Sequence, residues 1–133
     1  MDDQSGPRIA VLDADTLGAD IDISPVTDQG AAAVYPSTES NQTGDRIRDA
    51  QVVVVNKVKI TAEALAGSSV KLIALTATGT NNVDLEYCRA NGVAVANVAG
   101  YSTESVAQQT LSFVLQLAGQ ASYYQRYVAA GKY

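Results

Sequence analysis

A chain of 133 residues, 47% apolar and 17% charged, has room for one domain with a real core and not for a second full one. Nine basic residues against fourteen acidic ones leave a formal charge of −5, which sets the surface against nucleic acid and anionic membranes. There is no histidine, so the commonest acid-base group at neutral pH and the commonest metal ligand are both missing.

The single cysteine, Cys88, excludes an internal disulfide; it reads as a buried free thiol in a reducing cytoplasm. No apolar run approaches the roughly 18 residues that span a bilayer, and the polar stretch 1–6 does not read as a signal peptide. Residues 1–7 are expected to form a disordered or tag-like start.

Short apolar runs follow at 9–12, 31–35, 52–55, 72–75 and 93–98. They are continuous rather than alternating, the pattern of parallel strands covered on both faces. Helix-sized segments separate them. The polar stretch 36–44 (PSTESNQTG) reads as a loop into a short helix, Thr61 as the cap of a helix holding Leu65, and Asn82 as the cap of one holding Leu85 and Cys88, which Gly92 ends. Right-handed strand-helix-strand crossovers in so short a chain predict an α/β fold: a flavodoxin-like, doubly wound, five-stranded parallel sheet of order 2-1-3-4-5. That domain is expected over 8–100, with a helical arm over 101–133.

In the arm, Ser102 or Thr103 is placed to cap a helix whose first turn holds Glu104. Wound at helical pitch, Ser105, Gln108, Gln109, Ser112, Gln116 and Gln120 share one polar sector, while Val106, Leu111, Phe113, Val114, Leu115 and Leu117 fill the rest. Such a helix calls for cover from two sides. Beyond Gly119, Tyr123 and Tyr127 at i and i+4 continue an aromatic face. The arm is therefore expected to reach another domain or a second subunit, a homodimer through 101–133; packing on its own sheet is the alternative.

In an open parallel sheet, ligands gather at the carboxyl ends of the strands. Three loops leave that edge: 13–18 (DADTLG), 56–59 (NKVK) and 76–82 (TATGTNN). The last is small, hydroxylated and glycine-containing, and runs toward a helix start, so its N–H groups can converge on a carboxylate, with Lys57 adding a point charge. A plain capped turn explains the same residues. Asp13 and Asp15 read as a helix-start cap and a solvated turn rather than a metal pair, and Lys59 as a solvated charge.

The runs 72–85 (LIALTATGTNNVDL) and 92–108 (GVAVANVAGYSTESVAQ) together resemble the NAD-dependent D-2-hydroxyacid dehydrogenases, in particular their glycerate dehydrogenase or hydroxypyruvate reductase branch. The resemblance implies that the amides around Ala77, Thr78 and Gly79 hold the carboxylate of a small 2-hydroxy or 2-keto acid. It implies that Asn56, Lys57 and Val58 wall the same cleft, and that the helix near Ser102 leads toward a nucleotide domain. Gln109 stands where relatives often carry a histidine. No G-x-G-x-x-G occurs within these residues, nor the family's catalytic arginine, glutamate and histidine set. The chain is thus expected to be an excised or engineered substrate-binding half that binds no NAD itself, holds its acid weakly at most and shows no turnover.

Two other classes share the strand order. A response-regulator receiver needs an aspartate ending strand three and a lysine ending strand five, where this chain has Asn56 and Asn97. A flavodoxin needs a phosphate loop after strand one, where Asp13 and Asp15 would repel the phosphate.

Overall fold

A computed structural model describes Gly6 to Lys132, in two compact units whose boundary falls between Ala99 and Gly100. Of the expected disordered start, residues 1–5 lie outside the described residues, as does Tyr133 at the end of the arm. Gly6 and Pro7 lie against Gln29 and Gly30, close enough that a Cβ on Gly6 would meet the Gln29 carbonyl.

The first unit is a parallel sheet of order β2-β1-β3-β4-β5, with β1 Arg8–Val11, β2 Ala31–Val34, β3 Val52–Val55, β4 Leu72–Leu75 and β5 Ala94–Ala96. The expected order is the observed one. It follows from runs such as VVVV and LIAL, which are apolar at every position, as strands inside a parallel sheet are. A 3₁₀ turn, Ala14–Leu17, follows β1. The helices are short: α1 Ser24–Thr27, α2 Thr43–Ile47, α3 Ala62–Leu65 and α4 Leu85–Ala90.

Cover of the sheet is unequal. On one face Ala10, Leu12, Val53, Val55, Ile73 and Leu75 pack with Ile47 of α2, Leu65 of α3 and Cys88 of α4. Full burial of each large side chain there contributes on the order of 2 kcal/mol. Among the described residues the other face buries only Ile9, Val11 and Val54, with Ala14 of the 3₁₀ turn against them. Both faces are thus covered, the first more heavily, because the helical segments with buried apolar residues all contribute to one cluster.

Local chemistry ends the helices mostly as anticipated. Thr61 caps α3, its Oγ1 accepting from Ala64 N at 3.2 Å. Gly92, at φ +70°, follows α4 in the left-handed conformation that glycine adopts without a Cβ clash. The cap of α4 is a correction: Asp84, not Asn82, accepts from Tyr87 N at 2.9 Å.

The second unit holds α5 Thr103–Ala118 and α6 Ala121–Ala129. Ser102 occupies the N-cap position of α5 but its hydroxyl makes no cap bond, a second correction. Gly119 ends α5, and Gln120, at φ 50°, turns the chain into α6. Tyr123 stacks on Tyr127 with ring centres 6.0 Å apart and meets Tyr124 edge-on at 5.2 Å. Val106, Leu111, Phe113 and Leu115 are exposed, and Leu117 is 80% exposed. Among the described residues no helix is long and apolar enough to cross a membrane.

Candidate ligand cleft at the strand ends

The loops after β1, β3 and β4 leave the sheet at one edge, and hydrogen bonds tie them together. Asp13, two residues past β1, is only 5% exposed although it is a carboxylate. Its Oδ1 accepts from Asn56 N at 2.9 Å, and its Oδ2 from Lys57 N at 2.6 Å and Val58 N at 3.2 Å. A buried anion demands such donors, and three successive amides supply them. The expected cap and solvated turn are corrected for Asp13: it stands at the N-cap position of the 3₁₀ turn, but its side chain makes no cap bond there and is buried. Asp15 is exposed.

The side chain of Asn56 donates to Thr16 Oγ1 at 2.9 Å, and Thr16 in turn donates to the Asp13 carbonyl at 2.7 Å. Asn56 Oδ1 and Thr76 Oγ1 are buried without partners among the described residues. Each directly follows a member of the register pair Val55–Leu75, at the ends of neighbouring strands. Lys57 is exposed and enters no ion pair among the described residues, whereas Val58 is half-buried against the main core.

Asn82 explains why it does not cap α4. Its Nδ2 donates to the carbonyls of Asn56 at 3.3 Å and Val58 at 3.0 Å. Its own carbonyl accepts from Ile60 N at 2.8 Å. The 76–82 turn is thereby fastened at its far end to the loop after β3.

At its near end the turn is held by other groups. Thr76 N donates to the Val55 carbonyl at 3.0 Å, Thr78 Oγ1 to the Val98 carbonyl at 2.9 Å, and Asn97 Nδ2 to the Thr78 carbonyl at 2.7 Å. Val98 N reaches the Ala77 carbonyl at 3.1 Å. Yet the N–H groups of Ala77, Thr78 and Gly79 donate to no acceptor among the described residues, and Thr78 and Gly79 are exposed. Carbonyls are engaged while amides stay open, which is the donor array a carboxylate needs. The expected help from a helix start is corrected: α4 has six residues, and Asp84 at its N-cap position already takes the Tyr87 amide.

The sequence-derived residues thus divide. Ala77, Thr78 and Gly79 form the open turn, and Asn56, Lys57 and Val58 form a neighbouring loop whose amides are already occupied. Asp13 and Asn82 are the organising residues that sequence reasoning missed. A signal existed: with β1 beside β3, the register Val11–Val54 carries Asp13 level with Asn56.

Among the described residues, two side chains titrate away from their ordinary values. Burial raises the Cys88 thiol, and the Asp84 carboxylate adds to the shift. Bonds from the Ser24 amide and hydroxyl lower Asp22, which is exposed and precedes α1. A cavity of about 700 Å³ lies elsewhere, lined by Arg8, Ala31, Ala33, Tyr35 and Arg46. Despite its volume it is the weaker candidate, because none of the open amides lines it.

Residues 9–129 match the family model described as D-isomer specific 2-hydroxyacid dehydrogenase, catalytic domain. A putative 2-hydroxyacid dehydrogenase of Haemophilus influenzae is 37% identical over 111 residues, covering 83% of this chain and 35% of the relative. Hydroxypyruvate reductase of Blautia hydrogenotrophica is 29% identical over 131 residues, covering 95% of this chain and 41% of that protein. The chain therefore spans between a third and a half of the length of these relatives. The structure of D-lactate dehydrogenase from Aquifex aeolicus, complexed with NAD and lactic acid, superposes with a TM-score of 0.76. It is 22% identical, and the match covers 95% of this chain and 38% of that one, a likeness of fold.

Proposed function

Because the chain belongs to the D-isomer specific 2-hydroxyacid dehydrogenase family, we propose that its first unit binds the carboxylate of a small 2-hydroxy or 2-keto acid on the turn formed by Ala77, Thr78 and Gly79. The observation that carries this reading is the set of unoccupied amides in a turn whose Ala77 and Thr78 carbonyls are fixed. Thr78 and Gly79 present the donors, Asn56 and Val58 form the neighbouring wall, and the exposed Lys57 ammonium contributes long-range attraction. A receiver-like signalling module is not favoured, since the family match covers nearly the whole chain.

The residues present do not fit NAD. In this sheet the turn after β1 carries the carboxylates Asp13 and Asp15, which would repel a dinucleotide phosphate there. No redox step is therefore assigned to these residues, and the reading for this chain by itself is acid binding without turnover, in a reducing cytoplasm. The apolar faces of α5 and α6 support a homodimer through 101–133, to be checked by light scattering at micromolar concentration.

The test is titration of the ¹⁵N-labelled chain with glyoxylate or hydroxypyruvate. Saturable shifts of the Ala77, Thr78 and Gly79 amides are expected, with affinity on the order of 1 mM. Shifts that never saturate, or that centre elsewhere, would overturn the assignment. In a parallel assay, sustained NADH oxidation above a buffer blank would refute the absence of turnover.

A further inference from the structure

One peptide group in the loop after β3 is held from both sides. The C=O of Asn56 and the N–H of Lys57 belong to the same planar unit, and in a trans peptide they point in opposite directions. The N–H donates to Asp13 Oδ2 at 2.6 Å, and the C=O accepts from Asn82 Nδ2 at 3.3 Å. The next two units share the theme between them, since the Val58 N–H, in the 57–58 unit, goes to Asp13 and the Val58 C=O, in the 58–59 unit, accepts from Asn82. A rotation of the 56–57 peptide plane would break the bond on each side together. Bonds in series through one polarisable amide also strengthen one another, more so where solvent is excluded.

We propose that Asp13 is a positioning residue for the open turn: its carboxylate fixes the peptide planes of the loop after β3, and those planes hold Asn82, the last residue of the 76–82 turn. The role rests on the reading that Ala77, Thr78 and Gly79 take the ligand carboxylate. The near end of that turn is fixed by Thr78 and Asn97. Its far end has the Asn82 side-chain bonds to the loop carbonyls and the Asn82 carbonyl bond to Ile60 N. Preorganised amides bind an anion better than amides that must first be ordered. Asp13, though it contacts no ligand, therefore sets affinity through two loops. A neutral amide in its place would keep an acceptor oxygen but direct an NH₂ group at donors, which favours rotation of the peptide.

The decisive experiment is a double-mutant cycle on the 133-residue chain with Asp13→Asn and Asn82→Ala, read by ¹⁵N resonances and by glyoxylate titration. Asp13→Asn is expected to move the Asn82 side-chain NH₂ resonances and to weaken glyoxylate binding about tenfold, with Asn82→Ala weakening it similarly. The double variant is expected to bind no worse than either single one. Unmoved Asn82 NH₂ resonances, or losses that multiply in the double variant, overturn the relay. Should Asp13→Asn fail to fold, Asn82→Ala alone decides: a displaced Lys57 N–H resonance supports the shared peptide, and an unmoved one refutes it. If the unaltered chain shows no glyoxylate shift, the carboxylate reading fails, while the NH₂ and N–H resonances still test the relay.

Discussion

The loops after β3 and β4 leave neighbouring strands at the same edge of the sheet, but their amides have different fates. In the first loop the N–H groups of Asn56, Lys57 and Val58 all terminate on Asp13, and the carbonyls of Asn56 and Val58 receive Asn82. In the second, the carbonyls of Ala77 and Thr78 are engaged while the N–H groups of Ala77, Thr78 and Gly79 are not. One loop has an anion built in; the other is arranged as though awaiting one. The contrast teaches that an anion-shaped turn is recognised by which backbone groups remain unsatisfied, because side-chain size and polarity do not say which N–H groups are already taken.

The comparison breaks most severely if the built-in anion is removed. Asp13→Ala strands three donors in a partly buried site and is expected to cost about 3 kcal/mol of stability, at roughly 1 kcal/mol or more per unsatisfied donor. The urea midpoint reads the loss; an unchanged midpoint would mean that the three amides find water without penalty. Next comes Asp84→Ala, which removes the carboxylate that keeps the start of α4 occupied. About 1 kcal/mol is expected to be lost with the cap, and the Cys88 thiol should titrate closer to its ordinary value as the neighbouring charge disappears. Thiol titration in which Cys88 does not move would contradict the assigned cause.

The smallest effect on stability belongs to the open loop itself. Gly79 does not adopt a left-handed conformation, and a Cβ there would come 3.1 Å from Asn81 Oδ1, the end of a side chain able to yield. Gly79→Ala is expected to change stability by less than about 0.5 kcal/mol. Glyoxylate affinity, by contrast, should fall severalfold, because the new methyl stands beside the open amides. Loss of stability without loss of affinity would reverse the roles given to the two loops.

Much of this was legible in the residues. Continuous apolar runs marked all the strands, and Thr61 and Gly92 announced helix ends through chemistry that acts within a few residues. The turn at Ala77, Thr78 and Gly79 stood out by its small side chains. Asn82 was misread because a side-chain amide before a helix resembles a cap, and local pattern does not reveal that two carbonyls some 24 and 26 residues away offer it better partners. Asp13 was read as a cap or a solvated turn for the same reason: its donors lie 43 to 45 residues along the chain.

By itself, then, the sequence determined the strands, their parallel arrangement, the order in which they lie and the family, since periodicity, crossover handedness and contiguous motifs are properties of neighbouring residues. Only the tertiary structure decided which amides are occupied and which are left open. Hydrogen-bond satisfaction is an account closed across strands, and it becomes visible once β1 is laid beside β3 and the register brings Asp13 level with Asn56.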